Sequence, residues 1–166
     1  MKDERISAIA REVSKANFDV YLLQELWMEQ DHDEITKSLP KGYYITGFRQ
    51  FTAKLGRFLG HCDGIFTPVE CSGLAIISKY PFKDVQLKAF NDRGDDAKIL
   101  VDGAVLVAKG AGRVKIEIIP NLTMDIFTTH IVSDPEIHLG YDNKIFREKQ
   151  IRQLLNKWVL RSSASL

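Results

Sequence analysis

An α/β fold, with helices at both ends and mainly antiparallel strands between them, is predicted by three features of this sequence. Near the N-terminus, Ile6, Ile9, Ala10 and Val13 recur at helical spacing among charged residues. Short apolar runs of strand length then crowd the middle of the chain, separated by Gly, Pro, Asn and Asp. A second helical pattern, from Asp142 to Val159, closes the sequence.

Each element follows from local chemistry. Residues 3–16 read as an amphipathic helix that stops at Asn17. Phe18 to Leu23 is a short, nearly continuous apolar run, the pattern of a buried strand, and it ends on Gln24-Glu25. Asp31 is placed to cap a helix over 32–38, with Glu34 completing a capping box. Pro40-Lys41-Gly42 breaks that helix, and Tyr43 to Thr46 begins another strand. Residues 47–70 mix Gly, Phe, Lys, Arg and His without a period and predict a long exposed loop.

Strand signals dominate from Ser72 onward. Gly73 to Ser78 is a buried run closed by Lys79-Tyr80-Pro81, and Val85 to Phe90 alternates like a half-exposed strand. Asn91 to Asp96 reads as a turn. Val101–Ala108 and Arg113–Ile119 read as strands joined across Lys109-Gly110-Ala111-Gly112. Pro120-Asn121 turns into a strand over Leu122 to Thr129 that ends on His130. In the last helix Ile145, Ile151, Leu154, Leu155 and Trp158 line one side, and Arg161 to Leu166 has no pattern. One domain over 1–160 with a frayed tail at 161–166 is the expectation.

Composition narrows the function classes. The 166 residues suit one domain with one substantial core. Lys and Arg number 23 against 22 Asp and Glu, so there is no basic excess of the kind that draws a chain to nucleic acid. That balance leaves room for a site handling one phosphate. Cys62 and Cys71 are too few for a disulfide scaffold and lack zinc spacing; they read as thiols, with a pair between them left open. The charged start is unlike a signal peptide, and no apolar run approaches the ~20 residues that span a bilayer. Asn121-Leu122-Thr123 matches a glycosylation sequon, which without an export signal reads as coincidence.

Three positions carry candidate chemistry. Glu25, directly after a buried strand, stands where a rigid element can aim a carboxylate at a hard cation such as Mg²⁺; the bland alternative is a solvated residue opening a loop. His130, at the end of an apolar strand, can serve as a proton donor or phosphate contact; a hydrogen-bonded strand-end histidine is the alternative. Lys109, flanked by Gly110-Ala111-Gly112, can bring an ammonium and backbone N–H groups to a phosphate, or simply sit in a hairpin turn. It is not a Walker A loop. Trp27, Met28, Phe48, Phe51, Phe58 and Phe66, with Arg49, Lys54 and Arg57, form either an apolar membrane-facing lip or a satellite core.

Together these segments resemble the neutral-sphingomyelinase branch of the endonuclease/exonuclease/phosphatase superfamily. Leu22-Leu23-Gln24-Glu25-Leu26-Trp27 and Glu29-Gln30-Asp31 look like its "LxQE" and "EVWxEQD" motifs. Cys71 to Phe82 is similar to its "SGLxxxSKxPI/F" segment, Lys109 to Gly112 to its "GKGVG", and Thr129-His130 to its "TH". The resemblance implies a four-layer α/β sandwich of two packed, mainly antiparallel sheets flanked by helices, present here in part. It implies Mg²⁺ on Glu25, His130 beside the scissile phosphate, and substrate contact at Lys109. The implied reaction is hydrolysis of sphingomyelin, or a related phospholipid at a membrane surface, by attack of water on phosphorus. The resemblance further implies an intracellular, membrane-associated location, as in the full-length family.

Departures from the family pattern set a second expectation. The family domain opens with an Asn-bearing strand and later carries "GDxN" and "SDH" motifs, none of which falls within these residues; Ala104 stands where Asp or Glu is frequent. Groups that act as a unit fail together, so the chain is expected to be a poor enzyme alone. The alternatives are a non-catalytic product that binds lipid or regulates a complete paralogue, and a superfamily member acting on DNA or phosphoinositide.

Overall fold

The computed structural model describes residues 2–47, 73–92, 109–132 and 144–161. Its elements are α1 (Lys2–Lys15), β1 (Val20–Leu23), α2 (Glu29–Ser38), β2 (Tyr44–Ile45), β3 (Ala75–Ser78), β4 (Phe82–Ala89), β5 (Gly110–Ile119), β6 (Leu122–His130) and α3 (Lys144–Leu154). The loop expected at 47–70 lies almost wholly outside the described residues, as do Cys62, Cys71, the strand expected at 101–108 and the tail beyond Arg161.

Two antiparallel sheets form, ordered β1-β3-β2 and β4-β5-β6. β3 sits at the centre of the first sheet, with Leu23 opposite Ala75 on one side and Tyr44 opposite Ser78 on the other. All four of its residues are buried, because both of its faces are covered. Ala75 and Ile77 pack with Ile6, Ala10 and Val13 of α1 and Ile35 of α2. Ile76, facing the other way, meets Val114 and Ile116 of β5. That alternation is the period-2 geometry of a strand, and it is why an unbroken apolar run belongs here.

The outer face of the second sheet carries α3: Trp158, Phe90 and Ala111 form a third cluster with Phe127, Ile131 and Leu154. The layers are therefore helices, sheet, sheet, helix, the α/β sandwich expected from the resemblance.

Side chains lock these layers at specific points. The Tyr21 hydroxyl lies against the carbonyls of Val13 (3.1 Å) and Ala16, closing the C-terminal end of α1. His32, buried in α2, holds the Thr46 carbonyl at 2.9 Å, while the Ile76 N–H donates to Thr46 Oγ1 at 3.1 Å. Gln150, fully buried in α3, accepts from the Val132 N–H (2.9 Å) and donates to the Asp92 carbonyl (2.7 Å). It thereby ties the chain after β6 and the chain after β4 to one helix. Arg113 pairs with Asp84 on the second sheet, where Lys115 also reaches Asp125 at 3.7 Å.

Three local expectations need correction. α2 begins at Glu29 with Met28 as its N-cap and no side-chain cap. Glu29 and Asp31 instead place negative charge in the first turn, where the helix dipole favours it, and Glu34 accepts from Ser7 Oγ on α1 at 2.5 Å. Next, Gly110 to Gly112 are not a tight connection but the start of β5, paired with both β4 and β6. Gly112 packs closely against Leu87, whose Cδ2 a Cβ there would meet. Finally, the inward stripe of α3 is Gln150, Leu154 and Trp158, while Ile145, Ile151 and Leu155 are exposed. A π-helical turn, Leu155–Val159, continues α3 and carries Trp158.

Candidate active site at the ends of β1 and β6

The antiparallel register of the second sheet builds one half of the site. β5 begins opposite the end of β6, with Gly110 paired to His130. Lys109 therefore stands beside the histidine although the two are far apart in sequence. The Lys109 carbonyl accepts the Phe90 N–H at 2.9 Å, which holds its backbone against the end of β4. Its side chain is buried, and Nζ lies 2.7 Å from His130 Nε2.

The first sheet supplies the other half. Where β1 ends, Gln24 Nε2 donates to the Thr129 carbonyl at 2.8 Å, so the two strand ends are stitched across the sandwich. Three residues further, the Trp27 indole faces the His130 imidazole with ring centroids 5.4 Å apart and planes inclined by 32°. Lys109 Nζ lies 5.6 Å from the centroid of the same indole, within cation–π range.

Glu25 sits between these two contacts. It is exposed, and its φ of 60° is left-handed, a region that disfavours any side chain with a Cβ. Its neighbours impose that conformation. Gln24 is held by Thr129, and the Leu26 N–H donates to the Gly73 carbonyl at 2.9 Å while the Leu26 side chain is buried with α1 and α2. Strain of this kind collects at functional positions. Glu25 also borders a cleft of about 110 Å³, shared with Arg5, Ile6, Ile9, Leu23, Gln24, Leu26 and Ile35.

Gly73 completes the arrangement. Its φ is 64°, and a Cβ there would lie 2.6 Å from Trp27 Cζ3. Only glycine lets the backbone before β3 pass this close beneath the indole.

Of the three candidates from sequence, Lys109 and His130 are thus in direct contact, and Glu25 lies on a segment joined to the end of β6 on both of its sides. The parts of Gln24, Trp27 and Gly73 were not foreseen. Gln24 and Gly73 lie inside motif segments, but Trp27 was read as lip or satellite core, and nothing local announces its contact with a distant strand. Of the other aromatics placed in that lip, Phe48, Phe51, Phe58 and Phe66 lie outside the described residues.

Among the described residues, no three of His, Cys, Asp and Glu gather as a cage for a metal ion. Mg²⁺ does not require one: it takes one or two carboxylates and completes its shell with phosphate oxygens and water. Glu25, an exposed carboxylate at a rigid strand end, fits that requirement as one ligand.

Two packed antiparallel sheets flanked by helices define the class of fold. The chain belongs to the Endonuclease/Exonuclease/phosphatase family, whose model matches residues 2–164, a superfamily of Mg-dependent phosphodiesterases. No curated protein sequence matches it. Among solved structures, it is similar to sphingomyelinase C from Streptomyces griseocarneus, at 20% identity and a TM-score of 0.68 over 94% of this chain and 52% of that one. It is also similar to a double mutant of beta toxin from Staphylococcus aureus with bound magnesium ions, at 24% identity and a TM-score of 0.67 over 96% and 52%. A third likeness is to SmcL, at 21% identity and a TM-score of 0.67 over 96% and 51%. The chain thus spans about half the length of these proteins.

Proposed function

We propose that this chain belongs to a Mg²⁺-dependent phosphodiesterase domain that hydrolyses sphingomyelin to ceramide and phosphocholine. One observation carries the reading: Gln24–Thr129 and Trp27–His130 contacts bracket Glu25 and draw the ends of β1 and β6 together. Those contacts support reading Glu25 and His130 as parts of one site. The fold shared with sphingomyelinase C and beta toxin supports the lipid substrate, and the near-neutral charge weighs against DNA.

In this reading Glu25 holds the Mg²⁺, which when bound neutralises charge on the phosphoryl oxygens and the leaving alkoxide. His130 stands beside the phosphate and holds the Lys109 ammonium there, itself fixed by the indole against its face and by the strand that carries it. Lys109 adds a positive charge beside the substrate's anionic group. Trp27 and Leu26 shield the apolar side of the site and keep Glu25 from relaxing.

The test is Mg²⁺-dependent release of phosphocholine from sphingomyelin vesicles, by the 166-residue chain and by the protein with any flanking coding sequence restored. Turnover by the longer protein, reduced by at least about 10²-fold in both Glu25→Ala and His130→Ala, is expected. Turnover indifferent to both substitutions, or nicking of plasmid DNA in place of lipid hydrolysis, would remove the proposal.

A further inference from the structure

The Lys109–His130 contact has a direction, because its two partners have different hydrogen-bonding capacities. A lysine ammonium has three donors and no acceptor. His130 Nε2, 2.7 Å from Lys109 Nζ, must therefore be the nitrogen that bears the lone pair. We infer that Lys109 fixes His130 as a neutral imidazole with its proton on Nδ1, making Lys109 a positioning residue for that histidine.

Contacts from β4, the β5–β6 register and Trp27 hold the pair in place. Lys109 is buried, and its backbone is hydrogen-bonded to Phe90 at the end of β4. His130 is held by the β5–β6 register and by the Trp27 ring. The same indole takes the ammonium at 5.6 Å, so one aromatic face orients both members. Adding a proton to Nε2 would abolish the contact and set two cations against each other. The positive charge of the pair thus belongs to the lysine, and the imidazole proton belongs to Nδ1.

The consequence for catalysis rests on the proposed function: with Nε2 accepting from Lys109 and the only ring proton on the buried Nδ1, the donor offered to a phosphate is the Lys109 ammonium, not an imidazolium acid. The tautomer itself does not depend on that reading and is measured without substrate or metal. In protein labelled with ¹⁵N-histidine, at neutral pH, the His130 Nε2 resonance is expected in the pyridine-like range and Nδ1 in the pyrrole-like range. Lys109→Arg keeps a cationic donor and retains that pattern. Lys109→Met keeps the length of the side chain without the donor, and it releases the ring to the Nε2–H tautomer that histidine prefers in water, so Nε2 moves to the pyrrole-like range.

Two results would overturn the inference: wild-type protein showing protonated Nε2, alone or with Nδ1, or Lys109→Met leaving the tautomer unchanged in a folded protein. The wild-type spectrum decides even if the methionine variant fails to fold. A lipid-hydrolysis assay that fails while the tautomer is as stated would sink the proposed function and leave this inference standing.

Discussion

Replacing Glu25 by glycine should stabilise the fold while destroying the site. A residue with a Cβ in the left-handed region costs about 1–2 kcal/mol, and Glu25 occupies it at φ 60°. Its side chain is exposed, so little packing is lost on removal. Glycine relieves the strain but gains unfolded-state entropy worth about 0.4–1 kcal/mol. The net gain is about 0.5–1 kcal/mol, which moves Tm by roughly 1–4 °C in a chain of this size. Glu25→Ala is the control: it removes the carboxylate but keeps the Cβ, so its stability should stay within about 0.5 kcal/mol of the parent.

Thermal unfolding followed by circular dichroism, in the absence of divalent cations, measures both variants. With Mg²⁺ at ten times its dissociation constant, a ligand-binding parent gains about 1.4 kcal/mol, and both variants should lose that gain. A glycine variant less stable than the alanine variant would refute the strain argument. Mg²⁺ stabilisation that survives in both would refute the ligand assignment.

Other substitutions probe the supports around the site. Gly73→Ala should destabilise by about 2–4 kcal/mol through overpacking against Trp27 and strain at positive φ, seen as a lower urea midpoint together with a changed Trp27 fluorescence. Gln150→Leu leaves the Val132 N–H and the Asp92 carbonyl without their present partner, at about 1–3 kcal/mol for each group; denaturation at an unchanged m-value checks it. His32→Leu strips the Thr46 carbonyl of its hydrogen bond and should cost about 1–3 kcal/mol by the same measure.

The alkaline limb of stability traces to Lys79 and Tyr43. Burial pulls the Lys79 ammonium down, but the Asp19 carboxylate outweighs it through a hydrogen bond and its charge, so the lysine is raised above 10.5. Burial chiefly raises Tyr43 above 10.0. The unfolded state gives up both protons first, so this stability is complete below about pH 10 and is lost as pH rises through the folded values. Lys79→Met should flatten that limb in unfolding curves recorded between neutral and alkaline pH.

Much of the sandwich was legible because its residues answer to local rules. Ile6, Ala10 and Val13 bury one face of α1 as their spacing requires, and the unbroken run in β3 reflects a strand covered on both sides. Where sequence reading failed, a tertiary contact had overruled a local preference. Gly110 and Gly112 have turn composition, yet pairing with β4 on one side and β6 on the other draws them into a central strand, where Gly112 packs against Leu87. The apolar spacing of Ile145, Ile151 and Leu155 pointed inward, but the buried clasp made by Gln150 set α3 on a different stripe.

The site was legible in its separate residues but not in their assembly. Glu25 and His130 each end an apolar strand, a placement sequence can see. The stitch between Gln24 and Thr129, and the indole shared by Lys109 and His130, join segments from different sheets. No periodicity encodes contacts of that range.

Mn²⁺ offers the most direct trial of whether Glu25 and His130 serve one pocket, since it accepts the same oxygen ligands as Mg²⁺ and broadens nearby nuclei. Titrated into ¹⁵N-histidine-labelled protein, it should broaden the His130 ring signals at substoichiometric amounts and leave His32 sharper, and Glu25→Ala should abolish the effect. His130 signals that stay sharp while Mn²⁺ binds elsewhere, or broadening that persists without the Glu25 carboxylate, would contradict the account.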